Sequence, residues 1–65
     1  MLHINGQARQ FPEPMSLAEL LERLELTGKR VAVEKNGEIV SRSRHAASIV
    51  NDGDRLEIVV AVGGG

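Results

Sequence analysis

Residues 55–65 read Arg55-Leu56-Glu57-Ile58-Val59-Val60-Ala61-Val62-Gly63-Gly64-Gly65, an apolar run followed at once by three glycines. Leu56, Ile58, Val60 and Val62 recur with the two-residue period of a strand and fit its buried side. Arg55, Glu57, Val59 and Ala61 then point away from the core, and two apolar residues beside the glycines make a candidate docking patch. A bare glycine tail leaving a buried strand fits a protein whose chemistry takes place at its own terminal carboxylate. Gly63 and Gly64 lack a Cβ, so they can thread a narrow channel and take backbone angles closed to other residues. Three extended residues reach roughly 10 Å, enough to carry Gly65 clear of the folded body.

Working outward from that strand, Asp52-Gly53-Asp54 is a turn, and the turn accounts for both carboxylates without calcium. Ser41 to Ser48 is polar and basic and reads as irregular chain or a brief helical turn, with Ile49 or Val50 tucked beneath it. Arg42, Arg44 and His45 within it read as a solvated cluster able to steer an acidic partner. Val31-Ala32-Val33 begins a strand, Asn36-Gly37 is a turn, and Glu38-Ile39-Val40 is a short strand. Further upstream, Leu17, Leu20, Leu21 and Leu24 follow the spacing of one apolar helix face. Ser16 and Glu19 form a capping-box pattern, Met15 and Leu20 a hydrophobic staple, and Gly28 is placed to end the helix. At the start of the chain, Leu2 and Ile4 alternate with His3 and Asn5. Asn5-Gly6 signals a tight hairpin returning through Gln7 to Phe11, and Pro12 and Pro14 stop it. The order strand, strand, helix, strand, short strand, strand predicts an α+β class, one helix covering one face of a sheet.

Sixty-five residues make one small domain. A chain of that size buries only about 60% of its unfolded surface, which leaves little room for an enclosed substrate pocket. Cysteine is absent, as are tryptophan and tyrosine, and the two histidines stand far apart in sequence. That inventory argues against a self-contained enzyme, against a metal site and against any side chain that could hold a persulfide. A net charge of −1 and a single aromatic residue give no footprint for nucleic acid. No stretch approaches the roughly 18 apolar residues of a membrane span, and the amino terminus lacks the pattern of a secretory signal. A cytoplasmic location is therefore expected.

With its terminal glycines, this element order resembles the β-grasp, ubiquitin-like fold: a mixed four- to five-stranded sheet over residues 1–62, with residues 63–65 as a flexible tail. More narrowly, the chain resembles the ThiS-type sulfur carriers of the thiamin pathway. The resemblance spans nearly the whole chain. It rests on the amino-terminal hairpin, Ser16-Leu17-Ala18-Glu19-Leu20-Leu21, Asn36-Gly37-Glu38-Ile39-Val40, Val50-Asn51-Asp52-Gly53-Asp54 and Val62-Gly63-Gly64-Gly65. It implies that Gly65 is the functional residue and that the carrier has no catalytic residue and binds no cofactor. It also implies an adenylyltransferase (ThiF-like, resembling ubiquitin-activating enzymes) that uses ATP to adenylate Gly65. Sulfur from a cysteine-desulfurase persulfide would then give a thiocarboxylate, and a thiazole synthase (ThiG-like) would take up the sulfur. A carrier resembling the small subunit of molybdopterin synthase, a ubiquitin-like modifier of lysines and a plain interaction domain stay open as alternatives. The Val59-Val60-Ala61-Val62 approach to three glycines favours the thiamin branch over the molybdopterin one.

Overall fold

The computed structural model describes residues 1–61. Its elements are β1 (Leu2–Ile4), β2 (Gln7–Arg9), β3 (Met15–Ser16), α1 (Leu17–Arg23), β4 (Val31–Lys35), β5 (Glu38–Val40), a 3₁₀ turn (Arg42–Arg44), β6 (Ile49–Val50) and β7 (Arg55–Val60). Five strands form one mixed sheet in the order β2-β1-β7-β4-β5, and β3 pairs with β6 in a separate two-stranded ladder. β7 lies in the middle, parallel to β1 and antiparallel to β4. This is the α+β, β-grasp arrangement expected from the sequence.

Local chemistry explains the hairpins. Asn5 and Asn36 take left-handed φ angles of 51° and 52°, and the glycines after them take 83° and 86°. Two consecutive left-handed residues make the turn whose twist matches paired antiparallel strands. β2 is shorter than the expected Gln7–Phe11: it stops at Arg9, just ahead of the prolines. Phe11 packs half-buried against the core instead, with the Arg9 guanidinium 5.3 Å from its ring centre.

The core is a single cluster of Leu2, Ile4, Met15, Leu17, Leu20, Leu21, Val33, Val50, Leu56 and Ile58. The leucine stripe of α1 faces the inner side of the sheet. At the helix start, Ser16 Oγ accepts the Glu19 N–H at 3.0 Å, as its capping role requires. The Glu19 carboxylate reaches forward along the helix to Arg23 Nε at 3.5 Å.

The helix ends earlier than expected, and not at Gly28. The Glu25 N–H donates to Glu22 C=O and the Leu26 N–H to Leu21 C=O, with Glu25 itself at φ 61°. That pair of bonds is a Schellman closure, completed by Leu26 folding back against the core. Gly28 (φ 85°) serves the following turn, which the Lys29 N–H closes onto Leu26 C=O. A non-glycine residue in the left-handed region is strained. Glu25→Gly should therefore stabilise the protein by about 0.5–1 kcal/mol, part of the relief being offset by glycine's entropy in the unfolded chain. Urea denaturation measures this directly, and an unchanged or lower midpoint would contradict the assignment.

The β3–β6 ladder is an addition to the expected elements: Met15 pairs with Val50 and Ser16 with Ile49. Of the two residues expected beneath the basic segment, Val50 is the buried one. One further expectation needs correction. His45 is not part of a solvated cluster. It is 7% exposed, its ring Nε2 lies 3.3 Å from Val40 C=O, and its own C=O accepts the Ala18 N–H. It locks the first turn of α1 to the segment after β5, while Arg42 and Arg44 stay exposed.

Candidate functional site

The position of β7 at the centre of the sheet decides where the last described residue, Ala61, sits. Its start is fixed by the Asn36 turn. Arg55 N–H donates to Asn36 Oδ1, Asn36 N–H to Arg55 C=O, and Asn36 Nδ2 to Asp54 Oδ1. Burial works against the Asp54 charge, yet the Asn51 N–H, the Asn36 amide and nearby Lys35 outweigh it and hold the carboxyl below its ordinary value. Midway along β7, the Asn5 side chain acts as an extra rung of β1. Its Oδ1 accepts the Ile58 N–H at 2.7 Å and its Nδ2 donates to Ile58 C=O at 3.0 Å. The last tie among the described residues is the Ala61 N–H to Arg30 C=O at 2.8 Å.

β7 has the expected two faces. Leu56 and Ile58 are buried in the core. Arg55, Glu57, Val59 and Ala61 are exposed on the side opposite the helix. Val60, expected inside, is 37% exposed. It lies beyond the end of β1, where a cleft bounded by Ile4, Leu24, Leu26 and Ile58 leaves one side of it uncovered. The strand is described to Val60 rather than to Val62. Val62, Gly63, Gly64 and Gly65 lie outside the described residues, so the expected domain limit at residue 62, the tail at residues 63–65 and the Gly65 site lie there too.

Register extends the open face past β7. Arg55 sits opposite His3 on β1, and Val59 and Glu57 sit opposite Ala32 and Glu34 on β4. Ile39 on β5 lies opposite Glu34 and is 81% exposed. The sequence reading missed Ala32, Glu34 and Ile39. Alternation within residues 31–35 and 38–40 carried the signal, but which side faced outward depended on the antiparallel register. The face runs from His3 and Arg55 through two glutamates to an apolar end (Ala32, Val59, Ala61) at the last described residue.

The clefts lined by the described residues are shallow and open to solvent. Among the described residues no group of three or more His, Asp or Glu side chains is placed to hold a metal ion. No helix among them is long and apolar enough to cross a membrane. What this surface offers chemically is contact area beside Ala61, the last described residue.

Comparison with known proteins agrees with that geometry. The model of the family described as "ThiS family" matches residues 2–65. A thiazole synthase of Paramagnetospirillum magneticum is 50% identical over 64 residues, which is 98% of this chain but only 20% of that protein. The sulfur carrier protein ThiS of Bacillus subtilis is 36% identical over 66 residues, covering all of both chains. The crystal structure of a thiamine biosynthesis protein (ThiS) from Geobacter metallireducens superposes with a TM-score of 0.78 at 36% identity, covering 98% of this chain and 97% of that one.

Proposed function

This chain belongs to the ThiS family, and from that premise we propose that it is a sulfur carrier for thiamin biosynthesis whose working group is the Gly65 carboxyl. The observation that carries this reading is the central placement of β7. A strand held on both sides, with Ala61 tied to Arg30, fixes residue 61, four positions before the Gly65 carboxyl, beside an exposed face. Likeness to a relative called a sulfur carrier protein supports the chemistry.

In this reading the chain is a protein co-substrate and not an enzyme. An α-carboxyl has a pKa of about 3.3–3.7, so it is an anion at neutral pH and a poor electrophile. An adenylyltransferase of the kind that resembles ubiquitin-activating enzymes would join it to AMP from ATP, releasing pyrophosphate. The acyl adenylate has a good leaving group: a persulfide loaded by a cysteine desulfurase would displace AMP to give an acyl disulfide, and a thiol reductant would then cleave its S–S bond, freeing the thiocarboxylate and leaving a disulfide between the two thiols. The resulting thiocarboxylate is a tethered sulfur nucleophile for a thiazole synthase, and likeness to a protein of that name supports this partner. Gly63 and Gly64 would let the tail lie in each partner's channel where a Cβ would clash. The open face around Arg55, Glu57, Val59 and Ala61 would hold the body while the tail reacts.

Removing the gene from its source organism should create a growth requirement for the thiazole moiety, relieved by returning this chain. Growth without thiazole, together with this chain found joined to lysines of other proteins, would replace the carrier reading with a modifier one.

A further inference from the structure

The chain has two lysines, Lys29 and Lys35, and they stand at opposite ends of β4. Lys35 pairs with Leu56 near the start of β7, and its ammonium donates to Ile49 C=O at 2.9 Å. The amino group of Met1 is paired with Glu13 and Asp52, and the Met1 C=O accepts the Gly53 N–H in the turn that leads into β7. Lys29 differs from both. It is exposed, and the ion pairs among the described residues do not include it. Glu22, Arg42 and His45 line the same shallow cleft without closing on its amine. A turn holds its backbone in place, with Gly28 at φ 85° and the Lys29 N–H donating to Leu26 C=O at 3.1 Å. The next residue, Arg30, accepts the Ala61 N–H, and Val31 pairs with Val60. Lys29 therefore sits one step beyond the last described tie to the chain that carries the terminal glycines.

We propose that Lys29 is an acceptor for the activated Gly65 carboxyl, which it captures as an amide when no sulfur nucleophile reaches the adenylate first. The proposal rests on the sulfur-carrier reading above, because it needs the acyl adenylate, and it adds a second fate for that intermediate. In the step, the lone pair of the uncharged Lys29 Nζ attacks the Gly65 carbonyl carbon. The bond from that carbon to the AMP oxygen breaks, AMP leaves with the electron pair, and the nitrogen gives up a proton to water. Nothing is oxidised or reduced, and the ATP spent in forming the adenylate is the one co-reactant. Reach selects this amine. Residues 62–65 extend about 13 Å, and neighbouring strands lie about 4.8 Å apart. A glycine chain can reverse its direction and so bring its end back to the long stem of Lys29. Lys35 lies six residues further along the chain, about 20 Å away on an extended strand. Because the Ala61–Arg30 bond already joins the two segments, the ring to be closed is short and its entropic cost small. Such closure presents the amine at an effective concentration on the order of millimolar. Capture belongs to the moment the adenylated tail leaves the partner's channel, where water and Lys29 compete for it.

The test incubates the full chain with the adenylating enzyme of its own source organism and ATP, without a sulfur donor, and follows pyrophosphate release, intact mass and fragmentation. The wild-type chain should lose the mass of one water and yield a peptide in which Lys29 is joined to Gly65. Lys29→Arg keeps the charge and removes the nucleophile. That variant should melt at the wild-type temperature and release pyrophosphate in the first turnover as the wild type does. Its dehydrated product should fall below about a tenth of the wild-type yield, because the intramolecular advantage is gone. Sulfide added in rising concentration should divert the wild-type chain from the amide to the thiocarboxylate. Adenylation of the wild-type chain with no Lys29–Gly65 amide would overturn the acceptor and leave the carrier reading intact. An amide at Lys35, a covalent dimer in place of the ring, or an undiminished yield from Lys29→Arg would overturn it in the same way. A wild-type chain that releases no pyrophosphate from ATP would remove the carrier reading and this proposal together.

Discussion

Removal of Gly64 and Gly65 should abolish sulfur transfer and leave the folded domain as stable as the full chain. The core cluster runs from Leu2 to Ile58, and the last tie of the described chain to the body is made by Ala61. No described packing therefore depends on the two glycines. The functional effect is large because the new carboxylate would sit about 7 Å short of the old one. A misplacement of about 1 Å at a reacting centre already costs on the order of a hundredfold. Thermal melting should be unchanged, while adenylation falls below detection. A truncated chain that is still adenylated and still supports thiazole formation would contradict the assignment of Gly65.

Leu56→Ala should be the most damaging of the simple truncations along β7. Leu56 is 1% exposed and lies between Ile4 of β1 and Lys35 of β4. Shortening a fully buried leucine to alanine costs about 2–5 kcal/mol in lost transfer energy and residual cavity. A domain of 65 residues has a total stability of roughly 3–10 kcal/mol, so a large part of it would go. Val59, three residues on, is 63% exposed on the opposite face, and its truncation should shift stability by less than about 0.5 kcal/mol. Urea midpoints for the two variants should differ widely. Equal midpoints would mean that the faces of β7 are wrongly assigned.

Much of this fold was legible because its local signals agree with its global arrangement. Asn5-Gly6 and Asn36-Gly37 fixed two hairpins, Ser16 fixed the start of α1, and the alternation of residues 55–61 separated core from open face. What was not legible depended on contacts between segments far apart in sequence. Two-residue strands such as β3 and β6 are too short to show a period. Glu25 carries no mark of a left-handed residue, and only the fold-back of Leu26 onto the core makes it the point where the helix ends. His45 sits in a polar, basic stretch, and its burial arises from the Ala18 and Val40 backbone groups it meets. The candidate site divides in the same way. The glycine tail and the β7 residues could be named from sequence, whereas the Glu34–Glu57 juxtaposition exists only once β4 and β7 are in register.

In the proposed function the chain presents its own carboxyl end to its partners. The most direct measurement is the intact mass of the full chain after incubation with its source organism's adenylating enzyme, ATP and a sulfur donor, with fragmentation to locate any change. The expected product is heavier by the difference between one sulfur and one oxygen, with the whole increment on Gly65. A chain that keeps only its free carboxylate under those conditions, or gains sulfur at any other residue, would contradict the account.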